Sequence, residues 1–349
     1  MIKEKLLKYL NENPYIYLDE FIQLVHSDKD HGYYVSEEII GKKGDFITAP
    51  EISQMFGEAI AIKILQVINK NNIKHFNLIE LGPGRGTLIN DILRVLNKHL
   101  SPEINISLHF NEINKNFIEN LKLQFPKCKI HSVIGDYPDR YSFFIANEFI
   151  DALPLRQLKK RDNTYYETVV KKSLDGDFEF DIEIARSESE IYAKSRCDLK
   201  NNQIFEYSPQ TIEVFSKIIN FLEKNKGHLL LIDYGYIKHP LKSTIQSIKN
   251  HKKTDVLNDI GKQDITYLVN FDCLISILKN KKILEYKFVT QSAFLKLNGI
   301  EERANQLCEQ NPAKAEEIKI QLNRLINDEH MGSLFKVLEV EFKCFFQKI

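Results

Sequence analysis

Four residues, Glu80, Gly82, Gly84 and Gly86, stand nearest to chemistry; they lie in the stretch NLIELGPGRGTL from Asn77 to Leu88. Glycines spaced G-x-G-x-G let backbone approach a ligand closely, because no Cβ intervenes, and they leave N–H groups pointing at it. A carboxylate two residues before the first glycine is a poor neighbour for phosphates and a good one for a cationic amine or sulfonium. The spacing is tighter than the G-x-G-x-x-G of dinucleotide sites, and no Gly-Lys-Ser/Thr follows, which excludes a Walker loop. The competing reading of the same residues is a tight turn that binds nothing.

Further polar groups fall at the ends of apolar runs. Glu112 closes the alternating run Ile104–Phe110, where a doubly wound fold places a carboxylate on ribose; two acceptor oxygens match two vicinal hydroxyls. Asp136 follows the run Lys129–Ile134, in position for an adenine amino group. Asn147, Glu148 and Asp151 follow Ser142–Ala146, at the carboxyl end of a buried strand beside the expected crevice. Each has a bland counterpart: an exposed strand-end acid, or for Glu148 a carboxylate that caps its own loop. Upstream, Asp45, Phe46, Thr48, Pro50, Glu51, Gln54 and Glu58 crowd a long loop and helix start. Such a loop serves either as a lid over the ligand or as plain surface.

The elements that must position these groups follow from periodicity. Leu78–Leu81 predicts a buried strand, and Leu88, Ile89, Ile92, Leu93 and Leu96 predict a helix capped by Thr87. Helices are expected over Ile2–Leu10 and Leu18–Val25, and Ser53 is the expected N-cap of a helix through Val67. Leu155–Ile184, broken at Asp162-Asn163 and Asp175-Gly176, reads as inserted β-hairpin structure. Ser208-Pro209 opens a helix ended by Gly227, and Leu229–Ile232 is a fifth strand. Lys238–Lys262 reads as loop, Ile265–Leu278 as containing a helix, and Ile300–Ile326 as helical between strands Ile283–Thr290 and Leu334–Phe346. Alternating strands and helices with the ligand loop after the first strand predict a doubly wound α/β domain.

Composition narrows the function. The 349 residues suffice for one large domain or a domain with an insertion. Lys+Arg and Asp+Glu are 48 each, a balance that argues against a general nucleic-acid binder. No apolar run approaches the roughly 20 residues of a membrane span. The N-terminal stretch carries Glu4 among its lysines and lacks an apolar core, so neither a signal peptide nor a presequence is expected. Cys128, Cys197, Cys273, Cys308 and Cys344 are scattered and odd in number, which predicts a reducing cytoplasm and no disulfide or metal site.

The E-x-G-x-G-x-G turn resembles motif I of class I S-adenosylmethionine (SAM) methyltransferases. The whole chain resembles the MidA-like methyltransferases, a family that includes a mitochondrial arginine methyltransferase assisting assembly of respiratory complex I. The matching segments are HGYY at 31–34, GDFITAPEISQMFGE at 44–58, ELGPGRGTL at 80–88 and ANEFIDALP at 146–154. EYSP at 206–209, IDYGY at 232–236, DIT at 264–266 and MGSLFKVL at 331–338 continue them in family order. The resemblance implies a class I, Rossmann-like doubly wound sheet with an N-terminal helical and lid segment and an inserted, substrate-side β-containing subdomain. The corresponding division is 1–75, 76–154, 155–208 and 209–349. It also implies SAM as cofactor and a protein arginine as acceptor, on a subunit of respiratory NADH:quinone oxidoreductase. Carried over by position, Glu80, Gly82, Gly84 and Gly86 hold the methionine part of SAM, Glu112 the ribose and Asp136 the adenine side. Thr48 to Gln54, with Pro50, closes over the cofactor, and Asn147, Glu148 and Asp151 line the acceptor pocket. The chain departs from the family pattern at Tyr267, Leu268 and Asn270, where a small residue, a histidine and an aspartate are usual.

An arginine acceptor is cationic at any working pH. Carboxylates can bind its planar fork, localise its charge and accept its proton. Glu148 or Asp151 is the expected partner, ahead of Glu51 or Glu58, with His31 and His251 as candidate bases. Three readings stand at this stage: an arginine methyltransferase, a SAM-binding assembly chaperone without transfer activity, and an NAD-dependent oxidoreductase.

Overall fold

The computed structural model describes residues 1–35, 48–249, 252–283 and 285–342. His251, Asp45, Phe46 and Cys344 lie outside the described residues. Seven segments form the backbone of the central sheet: β1 (His75–Leu81), β2 (Asn105–Asn111), β3 (Lys129–His131), β4 (Ser142–Asn147), β5 (Gly227–Tyr236), β6 (Tyr286–Thr290) and β7 (Phe335–Phe342). Their spatial order is β3-β2-β1-β4-β5-β7-β6, and a two-residue strand, Val269–Asn270, lies beside β5. The first five run parallel, and β7 is antiparallel to both of its neighbours. Strand order reverses between β1 and β4, so their carboxyl ends flank the crevice where such sheets bind ligands.

Helices cover both faces, which is why the strands read as continuous apolar runs. Leu78, Phe110, Phe143, Ile145, Leu230 and Val337 face one layer, with α1 (Gln54–Asn71), α2 (Thr87–His99) and α3 (Lys115–Gln124). Ile79, Leu81, Phe144, Ala146, Leu231 and Leu338 face the other, with α4 (Pro209–Asn225) and α5 (Phe271–Asn280). Successive residues such as Phe143 and Phe144 are buried on opposite sides, each worth about 1.5–3 kcal/mol relative to exposure.

The expected hairpin insertion is present as Arg156–Arg161, Thr164–Lys172 and Phe178–Ile184, antiparallel, with Asp162 and Asn163 both at positive φ in the first turn. The N-terminal segment joins it: Ile16–Tyr17 pairs with Thr164–Lys172. Helices Ile2–Glu12 and Leu18–Ser27 share one apolar core with Leu155, Val170, Ile265 and Tyr267. Asp19 accepts from Arg156 at 2.7 Å and Arg186 at 2.8 Å, which locks the helix pair onto the insertion.

Several elements differ from expectation for local reasons. The third strand stops at His131 instead of Ile134. Gly86, left-handed at φ +79°, takes the N-cap of α2, while the Thr87 hydroxyl donates to Glu51 at 2.6 Å. Gly227 begins β5 instead of merely ending α4. The polar stretch Lys238–Lys262, read as loop, holds two strands, Gln246–Lys249 and Lys252–Thr254, which form a small sheet with Asp264–Thr266. Of its buried positions Ser247, Asp264, Ile265 and Thr266, only Ile265 is apolar, and Ser247 donates to the Asp264 carbonyl at 2.7 Å, so it carries no hydrophobic alternation. The helical region Ile300–Ile326 is broken at Pro312, and a further helix, Gln291–Leu297, precedes it.

Candidate active site

The glycine turn follows β1 at the switch point. Gly82, Gly84 and Gly86 lie at φ +65°, +52° and +79°, conformations that favour glycine. A Cβ on Gly82 would stand 3.0 Å from the Phe149 ring, so the turn also packs against the acidic loop after β4. The Gly84 N–H donates to Glu112 Oε2 at 3.2 Å, and the Ile113 and Asn114 N–H groups donate to Oε1 at 2.8 and 2.9 Å. Glu112 therefore commits Oε1 to its own backbone and retains accepting capacity on Oε2. Glu80 is 3% exposed, and its Oε2 has no hydrogen-bond partner. Burial, and secondarily the Glu112 charge, push the Glu80 carboxyl up to about 8.

A second acidic group lies on the loop after β4. Glu148 is held at φ +47°, a strained conformation for a residue with a Cβ. Its N–H donates to the Ile232 carbonyl at 2.9 Å, and its Oε1 accepts from the Ala49 N–H at 3.1 Å. Asp233, at the end of β5, accepts from the Ile150, Asp151 and Tyr234 N–H groups at 3.1, 3.2 and 2.9 Å. Asp151 accepts from the Tyr234 hydroxyl and, at 2.9 Å, from Thr266. Its Oδ1 is buried without a partner, as is Asn147 Oδ1. Burial first and neighbouring acids second raise these carboxyls, Glu148 to about 8, Asp151 to about 6, and Asp233 well above the usual range. No lysine or arginine forms an ion pair with Glu80, Glu148, Asp151 or Asp233 among the described residues. Among the described residues the crevice thus holds carboxylates with no lysine or arginine paired to them, an arrangement suited to cationic ligands.

Comparison with known proteins gives the family. Residues 59–289 match a family model described as "Putative S-adenosyl-L-methionine-dependent methyltransferase". The chain is similar to the mitochondrial protein arginine methyltransferase NDUFAF7 homolog of Caenorhabditis elegans, 31% identical over 87% of this chain and 78% of that protein. It is 28% identical to NDUFAF7 of Homo sapiens, over 96% of this chain and 82% of the human one. The chain belongs to this methyltransferase family. A crystal structure of a Burkholderia thailandensis protein bound to S-adenosyl-homocysteine has the same fold, with a TM-score of 0.83, 21% identity and coverage of 98% of this chain and 92% of that one.

The methyltransferase uses SAM, and the turn fits it. Its three glycines leave open backbone, and the orphaned oxygen of Glu80 is an acceptor buried where the sequence calls for a cation-binding group. Family membership removes the NAD-dependent oxidoreductase reading. Around the site, Ala49–Ile52 forms one helical turn that links the Thr87 end of α2, through Glu51, to Glu148, through the Ala49 amide. Thr48 precedes this turn, Pro50 is buried within it, and Gln54 starts α1. Ser53 caps α1 as expected, accepting from the Met55 N–H at 3.4 Å.

The remaining expected residues have different surroundings. Asp136 is exposed on the turn after β3. Glu58 is buried on α1 and engaged by Arg94 and Arg303, each at 2.7 Å, so it is a structural carboxylate and not a partner for substrate. His31 is exposed, and its N–H caps onto Asp28 at 3.0 Å. The residues at the departures have structural duties: Tyr267 donates to the Ile150 carbonyl at 3.1 Å, the Leu268 N–H donates to Thr244 at 3.1 Å, and Asn270 caps α5. Asp233, Tyr234, Thr266, Asp264, Tyr34 and His26 were not singled out from sequence as site residues. All except His26 lie in the quoted segments IDYGY, DIT and HGYY, which gave the available signal.

Proposed function

We propose that the enzyme methylates a protein arginine, and that its acceptor is a subunit of respiratory NADH:quinone oxidoreductase met during assembly. One observation carries this reading: two groups of carboxylates without basic partners, Glu80 with Glu112 and Glu148 with Asp151 and Asp233, meet at one crevice through Phe149 and Gly82. One group suits the sulfonium, and the other suits a guanidinium. The relatives named above as protein arginine methyltransferases support the acceptor class.

Bound SAM supplies a methyl carbon on a positively charged sulfur, open to in-line attack. Glu80 and the glycine turn would hold the cofactor, with Glu112 Oε2 on the side of its ribose. Asp136 stands on the adenine side, and residues 48–54 cover the cofactor. Glu148 and Asp151 bind the guanidinium, turn one nitrogen toward the methyl group, and stabilise its charge, with Asn147 beside them. Glu148 would take the proton that the acceptor nitrogen gives up on methylation. Alignment of this kind contributes about 7–11 kcal/mol of barrier reduction. The insertion and N-terminal helices, within 1–75 and 155–208, form the acceptor side, and 76–154 with 209–349 form the cofactor side. Unpaired Cys128, Cys197, Cys273 and Cys308 support action in a reducing compartment, the cytoplasm.

The test is transfer from methyl-labelled SAM to purified complex I subunits, with mass spectrometry of the acceptor arginine. Methylarginine made by the wild-type protein and lost with Glu148→Gln supports the reading. Cofactor binding with no transfer to any subunit overturns it in favour of an assembly chaperone.

A further inference from the structure

The segment Tyr33–Val35, outside the 59–289 family match, contacts both sides of the crevice. The Tyr34 carbonyl accepts from Asn114 Nδ2 at 2.9 Å. Asn114 is 1% exposed; its N–H is held by Glu112 at 2.9 Å, and its Oδ1 caps α3. At its other end, the Tyr34 hydroxyl donates to Asp264 Oδ1 at 2.8 Å. Its ring meets the His26 ring edge-on, 4.9 Å between centroids. His26 is 1% exposed and contacts two further parts of the acceptor side: Nδ1 lies 2.9 Å from the Ala152 carbonyl, and Nε2 accepts from the Ile265 N–H at 3.2 Å. That pattern fixes a neutral ring with the proton on Nδ1. Residues 264–266 in turn hold Asp151 through Thr266.

A continuous chain of hydrogen bonds therefore runs Glu112–Asn114–Tyr34–Asp264, with His26 packed edge-on beside it and joined to the Asp151 loop. We infer that Tyr34 is a positioning residue that transmits cofactor occupancy at Glu112 to the acceptor carboxylates, so that SAM tightens the acceptor pocket before the protein substrate arrives. The inference rests on the proposed placement of the cofactor ribose at Glu112. Binding at Glu112 Oε2 adds a second donor beside the Gly84 N–H and so restrains the 112–114 backbone. Through Tyr34 this restraint reaches two loops distant in sequence, 150–152 and 264–266. Coupling between two sites requires such an element contacted by both.

The experiment is amide hydrogen exchange read by mass spectrometry, with and without S-adenosyl-homocysteine, on wild type and Tyr34→Phe. In wild type the ligand slows exchange in 80–86 and 112–114 and also in 150–152 and 264–266, the latter by about fivefold or more. In Tyr34→Phe, which keeps the ring and the Asn114 contact, protection of 80–86 and 112–114 persists while the transmitted protection is lost. Equal transmitted protection in both proteins overturns the inference. Absence of protection at 112–114 in wild type overturns the ribose placement instead. Asn114→Asp keeps the α3 cap and removes the donor to Tyr34, and it must abolish transmission from the other end if Tyr34→Phe does not fold.

Discussion

The Ala49 amide and Glu148 Oε1 lie 3.1 Å apart across 99 residues of sequence, and this bond ties the segment before α1 to the acid loop after β4. It holds a carboxylate whose backbone is already strained at φ +47°. The same acid is the residue to which acceptor binding and proton removal are assigned, so its removal gives the sharpest result. Glu148→Gln keeps the shape and the Ala49 bond, binds S-adenosyl-homocysteine as wild type does, and loses about 10²–10⁴-fold in transfer rate. Calorimetry beside a methyl-transfer assay checks both halves; transfer at the wild-type rate removes Glu148 from the mechanism.

The pH profile follows from the same group. Burial raises Glu148 to about 8, and only its charged form accepts a proton. In wild type, kcat/KM therefore rises with pH and levels off near that value. Asp151, at about 6, adds its charge lower on the same limb. In Glu148→Gln the upper rise disappears.

Glu80 has the opposite effect on stability. Its folded value, about 8, exceeds its ordinary 4.5, so the folded protein binds the proton more tightly than the unfolded chain. The associated stability is full below about 4.5 and is lost as pH rises through about 8. Glu80→Gln therefore stabilises the ligand-free protein at pH 8–9 by up to a few kcal/mol, changes it little near pH 4, and weakens SAM binding. Thermal unfolding across this range, with and without S-adenosyl-homocysteine, reports all three. A variant that binds SAM normally places the sulfonium elsewhere.

Asp233 acts through the loop it braces. An asparagine offers one acceptor oxygen to three N–H donors and sets an NH₂ against at least one of them. Asp233→Asn costs about 1–3 kcal/mol of stability and lowers kcat while leaving cofactor affinity unchanged. A loss confined to cofactor affinity would contradict this placement.

Glu58 separates structure from chemistry. Glu58→Gln removes the charge that Arg94 and Arg303 share, lowering stability by about 1–3 kcal/mol. The transfer rate per folded molecule stays at the wild-type value. A rate loss beyond the folded fraction would return Glu58 to the acceptor pocket.

The alternation of the sheet, the glycine turn and the insertion were legible because each rests on local rules. Leu78–Leu81, Glu80 aside, and Phe143–Ala146 are apolar because both faces are covered, and Asp162-Asn163 carries turn chemistry in two residues. The small sheet from Gln246 was not legible, since its buried Ser247, Asp264 and Thr266 are polar and the partners of Ser247 and Thr266, the Asp264 carbonyl and Asp151, are brought to them only by folding. Glu58 and Glu148 look alike in sequence, and only the arginines brought to Glu58, one of them 245 residues away, distinguish them.

The sequence by itself determined the sheet's apolar strands, the open backbone of the Gly82–Gly86 turn, and the presence of acids near the end of β1 and after β2 and β4. Spacing and side-chain chemistry suffice for these. Tertiary structure decided which acids lack a counter-charge, that Asp233 clamps the loop carrying Glu148, and that Tyr34 joins Asn114 to Asp264. Charge and hydrogen bonding act over a few ångströms of space, and the bonds from Asp233 to the loop and from Tyr34 to Asn114 and Asp264 join residues 80 to 230 positions apart along the chain.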